Sequence, residues 1–268
     1  MKNILLLVHD DGGQESRYQV ALDLARALDA HLTCLDLVYV PSVLGGGAYE
    51  NAYVMGDVMT AEGEREKVHG AHLRSRLAQE DVVWDWCDAV GEPADALARA
   101  ATLADLIVVS RKLDGMEMFD MGRAAADLIV RSGKPVLAVP ADCPRFKSNT
   151  ALVAWDGSSS AARALQAAIP LLAEARRVVV LEVDDGSLAI PATDAAAYLS
   201  RYGIHATIKR VPCGSGEAGG VLLEEASLGG FGYVVMGGFG HARWLEGLFG
   251  GVSRTMMKES PIPVLFAH

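Results

Sequence analysis

Apolar residues along this chain fall into short unbroken runs, with longer stretches between them in which alanine and leucine recur at helical spacing. The run Ile4 to Val8 is the first of them. Runs of this kind predict strands near 3–9, 32–38, 81–87, 105–110 and 135–139, then near 150–155, 177–183, 205–211, 231–236 and 263–267. The periodic stretches predict helices near 14–29, 61–79, 92–103 and 119–132, then near 158–173, 191–202, 216–228 and 251–259. Continuous apolar strands, rather than alternating ones, are what a parallel sheet buried on both faces requires. Strict alternation of strand and helix gives such a sheet, with helices on both sides. Near 81–87 the pattern differs, since Trp84 and Trp86 alternate with acidic residues and so share one strand face.

The pattern occurs twice. Leu7-Val8-His9-Asp10-Asp11-Gly12 resembles Leu152-Val153-Ala154-Trp155-Asp156-Gly157, each followed by an alanine-rich helical segment. The ends of the copies match as well, Lys134 to Pro140 against Ile262 to His268. The expectation is two tandem α/β domains, 1–141 and 149–268, each a doubly wound open parallel sheet of five strands, with the polar segment Asp142 to Asn149 as the boundary. Residues from about Tyr39 to Thr60, with Gly45-Gly46-Gly47, have no counterpart in the second copy. They read as an excursion, a plain loop being favoured over a functional lid.

Composition narrows the function classes. The 268 residues are 51% hydrophobic and carry a formal charge of −10. An acidic surface argues against nucleic acid or an anionic membrane as the main partner. The N-terminal apolar run is too short for a signal-peptide core or a bilayer span, so the expected location is the cytoplasm. The cysteines, Cys34, Cys87, Cys143 and Cys213, form no CxxC pair and have no histidine at metal-ligand spacing, so neither a disulfide framework nor a metal site is expected.

The candidate chemistry lies between Met236 and Ser253. Gly237 follows the apolar run Tyr233 to Met236, Gly240 comes three positions later, and Gly250-Gly251 opens the last helical segment. Glycine lets backbone N–H groups close on a bulky anion, and a helix N-terminus adds unsatisfied donors and the positive end of its dipole. A parallel sheet binds ligands beyond the carboxyl ends of its strands at the switch point, where such a loop would stand. There is no GxxxxGK[ST] motif, hence no phosphate-loop lysine, and no pair of metal carboxylates beside the glycines.

This combination resembles the universal stress protein family in its tandem form, over essentially the whole chain. Nucleotide-binding members of that family carry a glycine, two residues, a glycine, nine residues, then glycine followed by serine or threonine. Gly237, Gly240 and Gly250 fit this spacing, with Gly251 in place of the hydroxyl residue and Ser253 two positions on. The resemblance implies an adenine-nucleotide alpha hydrolase-like, Rossmann-like fold whose halves form a pseudo-dimer through their final strands. It also implies ATP or another adenine nucleotide as ligand, with Mg2+ as an allowed companion, and a homodimer of the whole chain as an open option. Carried over, it places Asp156 and Val183 beside the adenosine, with Ala154 where the family often has proline. Met236 and Gly237 would close the ribose side, and Gly240, Gly250, Gly251, Val252 and Ser253 would face the phosphates. Arg243 inside the glycine loop suits bidentate phosphate contact. Asp156 has a second reading, as a cap of the helix that follows.

The first copy departs from the pattern. Ser110 stands at the position of Gly237, Leu113 at that of Gly240 and Arg123 at that of Gly251, while Gly122 matches Gly250. Side chains there would crowd a phosphate chain, so this half is expected to bind no nucleoside triphosphate. Function then divides three ways. One is a stress-response regulatory protein that binds ATP in its second half and hydrolyses it slowly or not at all, with no residue assigned as catalytic. The second is an ATP-hydrolysing enzyme. The third is a scaffold that binds no nucleotide.

Overall fold

The structure, a computed structural model, describes residues 1–39, 50–111, 121–184, 188, 190–214, 216–238 and 251–268. The first half runs β1 (Asn3–Val8), α1 (Gln14–Leu28), β2 (His31–Tyr39), α2 (Glu50–Leu77), β3 (Trp84–Gly91), α3 (Pro93–Ala100), a 3-10 turn (Ala101–Leu103), β4 (Leu106–Ser110), α4 (Met121–Ser132) and β5 (Val136–Val139). The second half repeats it: β6 (Thr150–Trp155), α5 (Ser159–Leu172), β7 (Arg177–Asp184), α6 (Ala192–Ser200), β8 (Ala206–Pro212), α7 (Ala218–Leu228), β9 (Tyr233–Gly237), α8 (Gly251–Glu259) and β10 (Val264–Ala267).

The ten strands form one sheet in the order β3-β2-β1-β4-β5-β10-β9-β6-β7-β8. Every pairing is parallel except the central one, where β5 and β10 run antiparallel with Val264 opposite Ala138, Leu265 opposite Leu137 and Phe266 opposite Val136. The two expected five-stranded sheets are therefore present and fused edge to edge. Side chains alternate across the sheet and divide the core in two. One cluster packs under α1, α2, α5 and α6 through Tyr18, Leu73, Leu165 and Leu199. The other packs under α3, α4, α7 and α8 through Leu97, Ile129, Leu222 and Met256.

Two expectations need correction. The strand placed near 81–87 is β3, Trp84–Gly91. The backbone N–H groups of Ala78, Gln79 and Glu80 still bond to carbonyls of the last turn of α2, so the chain reaches the sheet edge later than its apolar run suggests. As an edge strand β3 alternates half-buried and exposed positions, and Trp84 and Trp86 do share the face towards α2. The excursion from Tyr39 to Thr60 is also not all loop: α2 begins at Glu50, and only 40–49 fall outside the described residues. Its counterpart α6 has 9 residues against 28. Among the described residues no helix is long and apolar enough to cross a membrane.

Leu265 is fully buried at the seam. Leu265→Ala is expected to destabilise the protein by about 2–5 kcal/mol. Because the halves share one sheet, urea unfolding followed at either half should shift together. Two separable transitions would contradict this coupling.

Candidate functional site

The carboxyl ends of β6, β7 and β9 meet at the switch point of the second half. In the sheet register Ala154 lies beside Leu181 on one side and Met236 on the other. Ala154 and Met236 face the α7/α8 side, Val183 stands further along β7 on that same side, and Val252 on the first turn of α8 packs against the same cluster. Four of the residues named from the sequence thus lie on one apolar face of the sheet. Asp156, just past the end of β6, is exposed at its rim. Gly240, Arg243 and Gly250 lie outside the described residues.

The turn from β6 into α5 shows how the sequence builds that rim. Asp156 Oδ1 accepts the Ser158 N–H at 2.9 Å, and Gly157 between them takes a left-handed φ of 72° that suits glycine. The cap of α5 is Ser158, whose Oγ accepts the Ala161 N–H at 3.1 Å. The capping role weighed for Asp156 therefore falls to Ser158. Asp156 forms the turn one step earlier and keeps its carboxylate exposed.

Glycine is required at 237 and meets no such demand at 251 among the described residues. A Cβ on Gly237 would run into the backbone of α5, 2.6 Å from the Ser160 carbonyl carbon and 2.9 Å from the Ala161 Cα. The end of β9 is pressed against the first turn of α5, which brings that helix N-terminus to the crevice. A Cβ on Gly251 would meet nothing within 4 Å among the described residues. Ser253 lies buried in the same first turn of α8.

The switch point of the first half is filled. Arg17, fully buried, lies between α1 and the ends of β1 and β4. Its Nε donates to the Leu7 carbonyl at 3.0 Å and its Nη2 to the His9 carbonyl at 3.0 Å. Nη1 and Nη2 form a fork on Asp11 at 2.9 and 2.7 Å. Nη1 also donates to Ser110 Oγ and Nη2 to Gln14 Oε1, each at 2.5 Å. The corresponding position of the second half is Ala162: Arg17 N–H bonds the Gly13 carbonyl as Ala162 N–H bonds that of Ser158. Ser110 crowds α1 here as a side chain at 237 would crowd α5, and Gly13 makes the room, since a Cβ there would overlap Ser110 Oγ.

The repeat is also offset by two residues. β4 and β9 correspond over their full length, and β1 pairs Ile4 with Leu106 as β6 pairs Ala151 with Tyr233. Val8 therefore stands where Trp155 does. The link to the helix is 9–13 in the first half and 156–158 in the second. Asp11 and Asp156 correspond through their turns, Asp11 Oδ1 accepting the Gly13 N–H at 2.7 Å, while two additional residues precede Asp11.

The universal stress protein family model matches residues 1–140. The chain belongs to the universal stress protein family. A universal stress protein from Archaeoglobus fulgidus is similar over 99% of this chain and 97% of its own, at 16% identity and a TM-score of 0.74. A putative universal stress protein from Pseudomonas aeruginosa is similar over 100% of this chain and 93% of its own, at 17% identity and a TM-score of 0.59. At such identities the likeness establishes the fold. A shorter universal stress protein solved in complex with cAMP aligns with 45% of this chain and 97% of its own, at 20% identity and a TM-score of 0.35. A search of curated proteins finds no match.

Arg17 escaped the sequence reading. Its signal was one arginine in a helix flank otherwise filled by Val20, Ala21 and Leu24, beside an aspartate-rich turn. Also missed was Glu182, buried on β7, whose Oε2 accepts the Ala192 N–H at 2.7 Å while Oε1 accepts from Arg210 at 2.8 Å. Among the described residues no group of three or more His, Cys, Asp or Glu could hold a metal ion.

Two outcomes follow for this universal stress protein. Arg17→Met leaves the Asp11 carboxylate, fully buried with Arg17, without its counter-charge, and should cost about 3–5 kcal/mol in urea unfolding. Gly237→Val should cost at least about 1–3 kcal/mol through overlap with the α5 backbone, whether or not nucleotide is present.

Proposed function

We propose that this universal stress protein is a stress-response regulator that binds one adenine nucleotide per chain, in the half spanning 149–268, with slow or no hydrolysis. The half spanning 1–141, with its altered phosphate loop, would serve as a fixed partner domain. The observation that carries this reading is the asymmetry of the two switch points. One presents a small residue, Ala154, an apolar face and an exposed Asp156, whereas the other is filled by the buried Arg17 network. The glycine spacing 237, 240, 250 supports the same assignment, because a strand end pressed on one helix and followed by glycines into the N-terminus of another is suited to hold phosphates. Ala154, Asp156, Val183, Met236 and Gly237 would surround the nucleoside. Gly240, Arg243, Gly250, Gly251, Val252 and Ser253 would face the phosphates, with Mg2+ as an allowed companion that would offset phosphate charge.

Bound ATP would order the segment between Gly237 and Gly251 and so change a surface that a protein partner reads. Cytoplasmic location suits the acidic composition, and association of whole chains into a dimer is compatible with this role. Binding is favoured over turnover because the sequence has no phosphate-loop lysine to stabilise leaving-group charge.

Equilibrium titration should give one ATP per chain, and two would sink the asymmetric assignment. Gly240→Val and Gly250→Val should abolish binding with no change in urea midpoint; retained affinity in both would place the phosphates elsewhere. Gly251→Ser, whose Cβ would meet nothing within 4 Å among the described residues, should leave affinity unchanged or raise it several-fold through one hydroxyl contact to a charged acceptor.

A further inference from the structure

The second and third strands of each half carry equivalent polar pairs in unlike surroundings. In the second half Glu182 lies opposite Arg210 in the register, and in the first half Asp36 lies opposite Asp88. Glu182 is buried but satisfied twice, by the Arg210 guanidinium and by the Ala192 N–H at the start of α6. Asp36 is buried to a similar degree and has neither partner. The arginine is replaced by a second carboxylate, Asp88, which itself takes the Arg74 guanidinium at 2.7 Å. The helix above Asp36 is also different in kind. α2 extends far past the point where α6 starts, so Asp36 faces the middle of a helix, at Gly70, where every backbone N–H is already used. A Cβ on Gly70 would overlap Asp36 Oδ2 and lie 3.4 Å from Asp36 Cγ and from the Trp86 ring. Asp36 Oδ1 is buried with no hydrogen-bond partner among the described residues.

The charges around this carboxyl relieve it only in part, through Arg74 and His9. On α2, Glu66 is buried and engaged with His9 of the β1 end at 2.6 Å and with the Asp10 N–H at 3.0 Å. His69 lies 3.5 Å from Asp10, Arg65 bonds Asp10 at 3.1 Å, and Arg74 is committed to Asp88. On β3 the facing group is Asp88. An open depression of about 580 Å3 lies between α2 and the end of β1, lined by Asp10, Arg65, His69 and His72 among others.

We propose that the docking of α2 on the N-terminal half-sheet is proton-coupled, with Asp36 taking up a proton when the helix covers it and releasing it when the helix lifts. A neutral carboxyl can lie against Gly70 and Trp86 at little cost. An ionised one, desolvated and beside two other carboxylates, cannot. Burial first, then the charges of Glu66 and Asp88, push the Asp36 carboxyl up to about 6. A raised carboxyl contributes stability that is complete below its unfolded value near 4 and is lost as pH rises through about 6. The two histidines oppose each other. Burial pushes His9 down, but the hydrogen bond and charge of Glu66 outweigh it, and the net shift is upward, whereas burial carries His69 down. Glu66 is held low by His9 against its burial, so its own contribution is lost only as pH falls further.

The test is hydrogen exchange of the α2 amides from Glu66 to Leu77 in the full chain, corrected for intrinsic rates, in the wild type and Asp36→Asn at pH 5 and pH 7. The ratio of protection, wild type over Asp36→Asn, should fall about tenfold between the two pH values. The comparison cancels the histidines, which both proteins share. Asp88→Arg restores the arrangement of Glu182 and Arg210, so its protection ratio to wild type should rise by the same factor over that range. A wild-type to Asp36→Asn ratio that stays constant with pH overturns the proposal, as does an Asp88→Arg protein that keeps the full wild-type dependence.

Discussion

A strand edge exposes a row of unpaired N–H and C=O groups, and a five-stranded parallel sheet has two such edges. Here the inner edge of each half is consumed by the other, in the antiparallel pairing of Val136–Val139 with Val264–Ala267. That pairing makes two small sheets one, and it lets every side chain of these strands be buried on both faces. It also fixes the outer architecture, because β3 and β8 become the edges of the whole molecule. Both mix half-buried and exposed positions, as edges tolerate, in contrast to the continuous burial of β4 and β5. The two switch points lie on either side of the seam, each between the first and fourth strands of its half.

Within that frame the halves differ in how they meet the need to neutralise buried charge. The second half places a carboxylate, Glu182, under a helix N-terminus and beside an arginine. In the first half the helix is longer, its N-terminal donors lie elsewhere and Asp88 stands where the second half has the arginine, so that Asp36 Oδ1 has no partner among the described residues. At the switch point the reverse holds: the first half buries a guanidinium with a full set of acceptors, where the second has alanine. Duplication preserved the apolar scaffold of each half and left its polar interior free to diverge.

The sequence carried the fold plainly because the apolar runs of a parallel sheet are continuous and the helices between them are long enough to show their period. It was less informative at the edge, where β3 alternates and the end of α2 displaced its start, and at 50–60, where a helix stands in a stretch flanked by glycines. Of the apolar residues named from the sequence, Ala154, Val183, Met236 and Val252 all lie on the α7/α8 face of the sheet. Gly237 reads from the sequence as closing the ribose side and as part of the glycine spacing, and the structure shows a second demand on it, the close approach of the Ser160 and Ala161 backbone. Arg17, Asp36 and Glu66 were not legible. Each owes its character to partners remote in the chain, such as Ser110 for Arg17 and Gly70 for Asp36, and no local spacing reports them.

The close approach of strand end and helix start is solved in two incompatible ways, Gly237 against the Ser160–Ala161 backbone in one half and Ser110 against Gly13 in the other. The second half cannot acquire a side chain at 237 by that change alone, since it collides with a helix that has not moved, so this exchange has to be a joint one. A chimera that transplants β4 onto the second half should fold only when the start of α1 is carried with it.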